Sequence, residues 1–320
     1  MITFDKLKLV VGIKAVLDYD ETRFEVIERD GQVVALKYFQ EIPFLYRLVL
    51  DYSSKEAVIE FSGKILGKDY PKLISLETIR QCFENINALG ICIFDPEALM
   101  NAEVVKCDVT KDIPGEAIPG VTDYIRSHVS SYLRFQCRRL RNGNLVIDKN
   151  VTSKKIKKRM TIYDKGKEML RSQNQDFAEE HGLEDAFNGM YRFELNLNSK
   201  EQIRKSLRIA DTKLMTVLSA DANPILEFLD EVVQPGAEAV KMTDKKSYVT
   251  MLVLQDCDYD LEKVEAKMRE FYRSKGTSIS KVMEPYRKMM EQIGDECGKT
   301  LWEDVKQALA YCIKTLNVLF

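Results

Sequence analysis

Arg159-Met160-Thr161-Ile162-Tyr163-Asp164-Lys165-Gly166-Lys167-Glu168 is the stretch from which the fold reads outward. Its first half alternates: Met160 and Ile162 fall on one face, Arg159, Thr161 and Tyr163 on the other, the period of two expected of a half-buried strand. Its second half starts a helix, expected to run from Asp164 to Glu180 and to close near Gly182. Tyr163 thus stands on the polar face at a strand-to-helix transition. A phenol there is either a packing residue at a core edge or a nucleophile presented to a ligand.

Upstream, Arg134 to Arg141 and Leu145 to Val151 flank Asn142-Gly143, a two-residue hairpin turn. Downstream, Met190-Tyr191-Arg192-Phe193-Glu194-Leu195-Asn196-Leu197 alternates most cleanly. Tyr191, Phe193, Leu195 and Leu197 are expected in a core, with Arg192, Glu194 and Asn196 facing out. Glu103 to Thr110 alternates as well, with Val105, Cys107 and Val109 inward and Lys106, Asp108 and Thr110 outward. If these strands share a sheet face, Asp108, Tyr163 and Glu194 converge on it.

The first 70 residues read as strands: Lys6 to Val16, Phe24 to Arg29 and Val33 to Phe39 around Asp30-Gly31, and Ala57 to Phe61. A helix is expected from Ser75 to Ala88, with Leu76, Ile79, Phe83, Ile86 and Leu89 inward and Gly90 as its stop. Val121 to Leu133 suits another. Beyond Ser199 the pattern is helical, with Asn223-Pro224 opening a helix to Val233 and Gln234-Pro235-Gly236-Ala237 reading as a linker. Tyr248 to Leu254 is apolar without a clear period. Leu261, Val264, Met268 and Phe271 mark the inner face of a further helix, Ser278 to Ile293 forms the next, and Thr300-Leu301-Trp302-Glu303 has the form of a capping box for the last. Two helices joined through Ser274-Lys275-Gly276-Thr277 are either a helix-turn-helix reader of duplex DNA or part of a bundle on the first domain. The fold class expected is α+β: a mainly antiparallel sheet with packed helices in residues 1–233, in one piece or as halves 1–100 and 101–233, followed by a helical domain at 238–320.

Composition bounds the chemistry. The chain has 320 residues, 45% hydrophobic and 31% charged, as in ordinary globular proteins. Neither a membrane-spanning run nor a signal peptide is visible, which places the chain in a cytoplasm with no membrane partner. Seven cysteines without close-spaced pairs are expected to be buried thiols, and two histidines cannot build a histidine-rich metal site, so a divalent ion would rest mainly on carboxylates. Net charge is −2, yet between Arg134 and Arg171 thirteen Lys or Arg face only Asp148, Asp164 and Glu168. A local excess of ten positive charges flanking Tyr163 is the footprint of a phosphate-tracking surface. Its other reading is a solvated, lysine-rich hairpin and helix.

The ordered set Val105-Lys106-Cys107-Asp108-Val109-Thr110, Thr161-Ile162-Tyr163-Asp164-Lys165-Gly166-Lys167-Glu168 and Tyr191-Arg192-Phe193-Glu194-Leu195-Asn196-Leu197 resembles the replication initiators of filamentous phages, the gene II protein and its relatives, and those of rolling-circle plasmids. Phe4-Asp5-Lys6-Leu7-Lys8-Leu9 and Glu60-Phe61-Ser62-Gly63-Lys64-Ile65-Leu66-Gly67 resemble the front of such phage proteins, so the likeness spans roughly residues 1–210. The resemblance implies a Rep-nuclease-like catalytic domain that nicks and rejoins DNA through a phosphotyrosine. Tyr163 would be the nucleophile and Lys165 would orient the phosphate or favour the phenolate. Asp108 and Glu194, with Glu60 as a third ligand, would hold Mg or Mn. Arg138, Arg139, Arg141, Lys154, Lys155, Lys157, Lys158, Arg159 and Lys167 would contact origin DNA, single-stranded or extruded, and host replication proteins would be further partners. The His-hydrophobe-His motif of many such initiators is absent, and Lys167 stands where a second tyrosine would. The resemblance therefore implies a single tyrosine and a carboxylate-held ion. The rival readings are a DNA-binding protein that does not cut, and a metal nuclease using water, with Tyr163 structural.

Overall fold

The structure is a computed structural model that describes residues 2–117, 120–129, 135–149, 158–233, 244–257, 260–273, 278–293 and 296–310. The amino-terminal half comprises β1 (Phe4–Gly12), β2 (Val16–Tyr19), β3 (Phe24–Arg29), β4 (Gln32–Tyr38), β5 (Leu45–Asp51), β6 (Glu56–Ser62), α1 (Ile79–Ala88), β7 (Cys92–Phe94) and α2 (Pro96–Met100). The next comprises β8 (Glu103–Pro114), α3 (Val121–His128), β9 (Phe135–Arg139), β10 (Leu145–Lys149), β11 (Arg159–Asp164), α4 (Lys165–Met169), α5 (Ser172–His181), β12 (Met190–Leu197), α6 (Lys200–Leu207), α7 (Leu214–Leu218) and α8 (Pro224–Val232). Four helices follow: α9 (Lys245–Asp256), α10 (Leu261–Tyr272), α11 (Ile279–Ile293) and α12 (Glu296–Ala310).

Ten strands form one antiparallel sheet in the order β3-β4-β5-β6-β1-β8-β12-β11-β10-β9, and β2 pairs with β7 apart from it. The two halves of the sheet trace the same path. In each, a leading strand is central, the chain crosses to the edge, and four strands meander back to pair with the leader: β3 to β6 return to β1, and β9 to β12 return to β8. The leaders β1 and β8 pair antiparallel at the middle. An α+β architecture with a large antiparallel sheet is therefore what the chain adopts, and no described helix is long and apolar enough to cross a membrane.

Alternation assigns the two faces. Leu7 and Leu9 of β1, Ile59 and Phe61 of β6, Met160 and Ile162 of β11, and Phe193, Leu195 and Leu197 of β12 are fully buried in the main core. Helix α1 adds Ile79, Cys82, Phe83 and Ile86 to that core, and α8 adds Phe228 and Leu229. Burying each such side chain contributes roughly 1.5–3 kcal/mol, which makes this face the main source of stability. Trp302, Val305 and Leu309 of α12 join the same core, so the last helix packs with α8 and β8. Helices α9, α10 and α11 instead share a separate cluster around Met251, Leu254, Val264 and Met283. A third, small cluster of Tyr70, Leu73, Met169, Ala178, Leu183 and Phe187 roofs one end of the polar face.

Several elements differ from their sequence-based expectation, each for a local reason. The strand expected from Lys6 to Val16 is cut by a 3-10 turn at Ile13–Ala15. Strand β5, which the sequence pattern did not disclose, buries Leu45, Leu48 and Leu50, because a register shift at Tyr46 breaks its period of two. A shift between Lys8 and Leu9 of β1 brings Val104 into the core in place of Val105, which is only half-buried. The helix expected over 164–180 divides at Leu170 and Arg171, where Arg171 is extended and the Asn174 amide donates to the Glu168 carbonyl at 2.8 Å. Helix α1 starts at Ile79, leaving Leu76 exposed, and Phe271 of α10 is 63% exposed instead of inward. Tyr248 to Leu254 is helical, and α12 starts at Glu296, ahead of the proposed box. The linker 234–237 and the connection 274–277 lie outside the described residues.

Candidate functional site

The site grows from a bulge. Between Phe4 and Lys6 the pairing of β1 with β8 shifts register, so the inserted Asp5 turns to the polar face while Phe4 and Leu7 stay in the core. Strand pairing sets Arg192 of β12 between Asp112 of β8 and Tyr163 of β11. Arg192 was expected to face solvent; it is 0% exposed, because Tyr70 and Phe187 lie over it, the guanidinium carbon 5.2 and 5.5 Å from their ring centroids.

Burial on that scale requires partners, and four of the five guanidinium N–H groups have one. Arg192 donates from Nε and Nη2 to the two carboxylate oxygens of Asp112, both at 2.7 Å. Its Nη1 donates to Asp5 Oδ1 at 2.6 Å and to Tyr70 Oη at 2.7 Å, and Tyr70 Oη donates to Asp5 at 2.8 Å. Burial pushes the Asp5 carboxyl up, but Arg192, Lys165 and the Tyr70 hydroxyl outweigh it and hold Asp5 below its usual range.

Beside this network, Tyr163 Oη donates a 2.6 Å hydrogen bond to Glu194 Oε1. Burial first, and the nearby Asp5 charge second, push the Glu194 carboxyl up to about 7, against the opposing pull of Arg192 and of the Tyr163 bond. Burial, reinforced by Glu194, also pushes the Tyr163 phenol well above its usual range. A tyrosine so placed does not ionise by itself at neutral pH, but it is bonded to a carboxylate that changes state there. A base titrating near working pH is the most effective acceptor for such a proton. Tyr163 is on the polar face as its alternation indicated, yet only 9% exposed under the small roof cluster.

Lys165, expected to orient a phosphate, is 2% exposed and donates to Glu168 at 2.6 Å. Its ammonium lies 5.0 Å from the Tyr70 ring centroid and 5.9 Å from that of Tyr163, so it supports the phenol from behind. Asn174 donates to Glu168 at 2.6 Å and Lys64 donates to Asn174 at 2.6 Å, which completes a second buried chain. Gly166 is required for the tight approach: a Cβ there would lie 2.8 Å from the Phe187 carbonyl oxygen.

The proposed metal ligands sit on the same face in a looser arrangement. Asp108 is paired in register with Asn196 and Lys6, while Glu194 is paired with Thr110, so the two carboxylates are diagonal neighbours across β8 and β12. Such neighbours stand about 7–8 Å apart at the backbone. Asp108 is 5% exposed, with Oδ2 at 3.9 Å from Lys6 Nζ and Oδ1 lacking a hydrogen bond among the described residues. Burial raises its carboxyl above the usual range despite Lys6 and Asn196. Glu60 is instead engaged by Lys106 at 2.9 Å and Lys8 at 3.9 Å. Among the described residues no three His, Cys, Asp or Glu side chains are gathered as a metal-holding group. What the face offers a hard cation is two oxygen ligands, a set that suits Mg or Mn only when substrate phosphate and water complete the shell.

The basic segment is partly neutralised. Arg138 and Arg159 both reach the buried Asp148, at 2.8 and 3.5 Å, and Arg139 reaches Asp123 at 2.5 Å. Lys158 lies 5.2 Å from the Phe228 ring centroid, Lys167 pairs with Asp164 at 2.9 Å, and Arg141 is exposed in the hairpin turn. Lys154, Lys155 and Lys157 lie outside the described residues. A cavity of about 640 Å³ at the ends of β1 and β8 borders Asp112 and Asn223 but not Tyr163 or Glu194.

Sequence reading missed Asp5, Tyr70, Asp112 and the burial of Arg192. Only Asp112 left a signal, as the continuation of the Lys106, Asp108, Thr110 alternation. Comparison of the chain with protein-family models, with curated proteins and with solved structures finds no match in any of the three.

Proposed function

We propose that the chain initiates DNA replication by nicking and rejoining a DNA strand, with Tyr163 as nucleophile and Glu194 as its proton acceptor. The observation that carries this reading is the 2.6 Å bond from the Tyr163 phenol to a carboxyl pushed up to about 7. In the forward step Glu194 takes the phenolic proton, Tyr163 Oη bonds to phosphorus, and the bond from phosphorus to one deoxyribose oxygen breaks. The proton held by Glu194 goes to that leaving oxygen, giving a free hydroxyl able to prime synthesis. Reversal of the same steps rejoins the strand, since the phosphotyrosine bond retains the energy of the cut phosphodiester. Arg192 holds Asp112, Asp5 and Tyr70, and Lys165 holds Glu168, in buried networks beside the phenol instead of touching DNA. A Mg or Mn ion held by Asp108, with substrate phosphate and water completing its shell, would neutralise charge developing on the phosphate and leave Glu194 free to take the proton.

A second reading, DNA binding without cleavage, is favoured by one observation: Tyr163 is only 9% exposed. The two separate on incubating the full chain with Mn and end-labelled single strands, followed by denaturing gels. A covalent adduct lost in Tyr163→Phe and slowed in Glu194→Gln is expected. Tight binding without cleavage establishes the second reading, and cleavage without an adduct, undiminished in Tyr163→Phe, points to water as nucleophile.

A further inference from the structure

The polar face carries a group of cations that the nicking scheme leaves unused. Register places Arg47 of β5 beside Glu60 of β6, Glu60 beside Lys8 of β1, and Lys8 beside Lys106 of β8, in one row running across four strands. Lys8 and Lys106 share the Glu60 carboxylate, Arg47 is its register neighbour on β5, and Lys8 and Lys106 stand directly opposite each other. Like charges in that position destabilise a sheet. Burial, with Arg47 and Lys106 adding to it, draws the Lys8 ammonium below its usual range in spite of Glu60. Lys6, one step along β1, faces Asp108 in the next row and lies 4.1 Å from the Tyr46 ring centroid. The side chains of Lys6, Lys8 and Lys106 keep 23%, 24% and 32% of their surface and Arg47 is exposed, so a ligand can reach all four.

A sheet that gathers three cations around one carboxylate departs from local stability in a way expected at a binding site. On the opposite side of Glu194, the row that contains Lys6 continues through Asp108 and Asn196 to Arg159, with Arg138 two strands farther out. From β5 to β9 the face crosses seven strand spacings, about 34 Å. Cations at both ends of a span this long suit an extended polyanion better than a single phosphate group.

We infer that Arg47, Lys8, Lys106 and Lys6 form a second phosphate-binding track, so that single-stranded DNA lies across the strands from the β9–β10 hairpin to β5. The inference rests on the DNA reading above and extends it to the amino-terminal half, where no DNA-contacting residue was anticipated. It places the reactive phosphodiester between two grips, one on each side of Tyr163 and Glu194.

The test is fluorescence anisotropy of a labelled 20-nucleotide strand over a range of salt, with the full chain carrying Tyr163→Phe so that the strand stays intact. Substituting Arg47, Lys8 and Lys106 together by Gln should lower affinity on the order of tenfold and reduce the slope of log affinity against log salt by about 2. Glu60→Gln should tighten binding, a change of sign that misfolding does not produce. An unchanged slope in the triple variant, alongside a reduced one in Arg138→Gln/Arg159→Gln, overturns this track while leaving DNA binding in place. A reduced slope in the triple variant without any covalent adduct from the Tyr163 chain sustains the track and removes the nicking reading. No binding by the parent chain removes both.

Discussion

Arg192→Met should cost about 3–5 kcal/mol of folding stability, the range for removing one partner of a buried ion pair. The structure sets this magnitude: the guanidinium is fully buried and makes two hydrogen bonds to Asp112, one to Asp5 and one to Tyr70. Methionine fills similar volume, so the loss measures uncompensated carboxylates and not a cavity. Urea unfolding followed by far-UV circular dichroism at pH 7 should show a midpoint lower by more than about 1 M. The sign of the pH dependence follows from Asp5, whose folded pKa is depressed by Arg192 beyond the upward push of burial. Such a group contributes stability above its unfolded pKa and loses it as pH falls through its folded value. The deficit of Arg192→Met relative to the parent should therefore shrink as pH falls below about 4, where the unfolded chain takes up the Asp5 proton and the parent loses this contribution. Replacing Arg192, Asp5 and Asp112 together by apolar residues should recover most of the loss. A deficit below about 1 kcal/mol at pH 7, or one that grows on acidification, would refute the description of Arg192 as the hub of a buried network.

Glu194 has the opposite sign, because its folded pKa is raised from 4.5 to about 7. Between those values the folded chain holds a proton that the unfolded chain has released, so its contribution to stability falls as pH rises through this window. Glu194→Gln should therefore gain on the parent from pH 4.5 to 7 and stay level above; equal pH profiles would remove the raised carboxyl. The nicking rate of the parent should climb to a plateau above about pH 7, and the residual rate of Glu194→Gln should lack that step. Gly166→Ala should cost about 1–3 kcal/mol, since its Cβ would press on the Phe187 carbonyl at 2.8 Å; an unchanged thermal midpoint would show that this approach is loose. Trp302→Ala should cost about 3–5 kcal/mol if α12 belongs to the main core, and a loss confined to α9–α11 would contradict that placement.

What was legible in the sequence was whatever a regular period encodes. Strands β3, β4, β9 and β10 lie where their hairpin turns placed them, and β6, β11 and β12 where alternation did, because these three bury every second residue on one face. Strand β5 and the ends of β1 and β8 were less legible, since bulges at Tyr46, Asp5 and beside Lys8 add a residue and shift the period. For the site, alternation placed Asp108, Tyr163 and Glu194 on one polar face, but polarity alone does not tell a solvated face from a roofed one. Arg192 and Lys165 are buried because Tyr70 and Phe187, from segments without a period, close over them. The meaning of Glu60 changed for a related reason: two lysines from neighbouring strands reach it, a pairing set by register and not by local sequence.

The central claim is that the Tyr163 phenol becomes bonded to DNA phosphorus. Its most direct test is proteolysis of the chain after incubation with Mn and single-stranded DNA, followed by mass spectrometry of the peptide spanning 159–168. The account predicts a nucleotide phosphodiester on Tyr163 that disappears in Tyr163→Phe. An unmodified peptide from a preparation that has cut the strand, or an adduct on another residue, would contradict it.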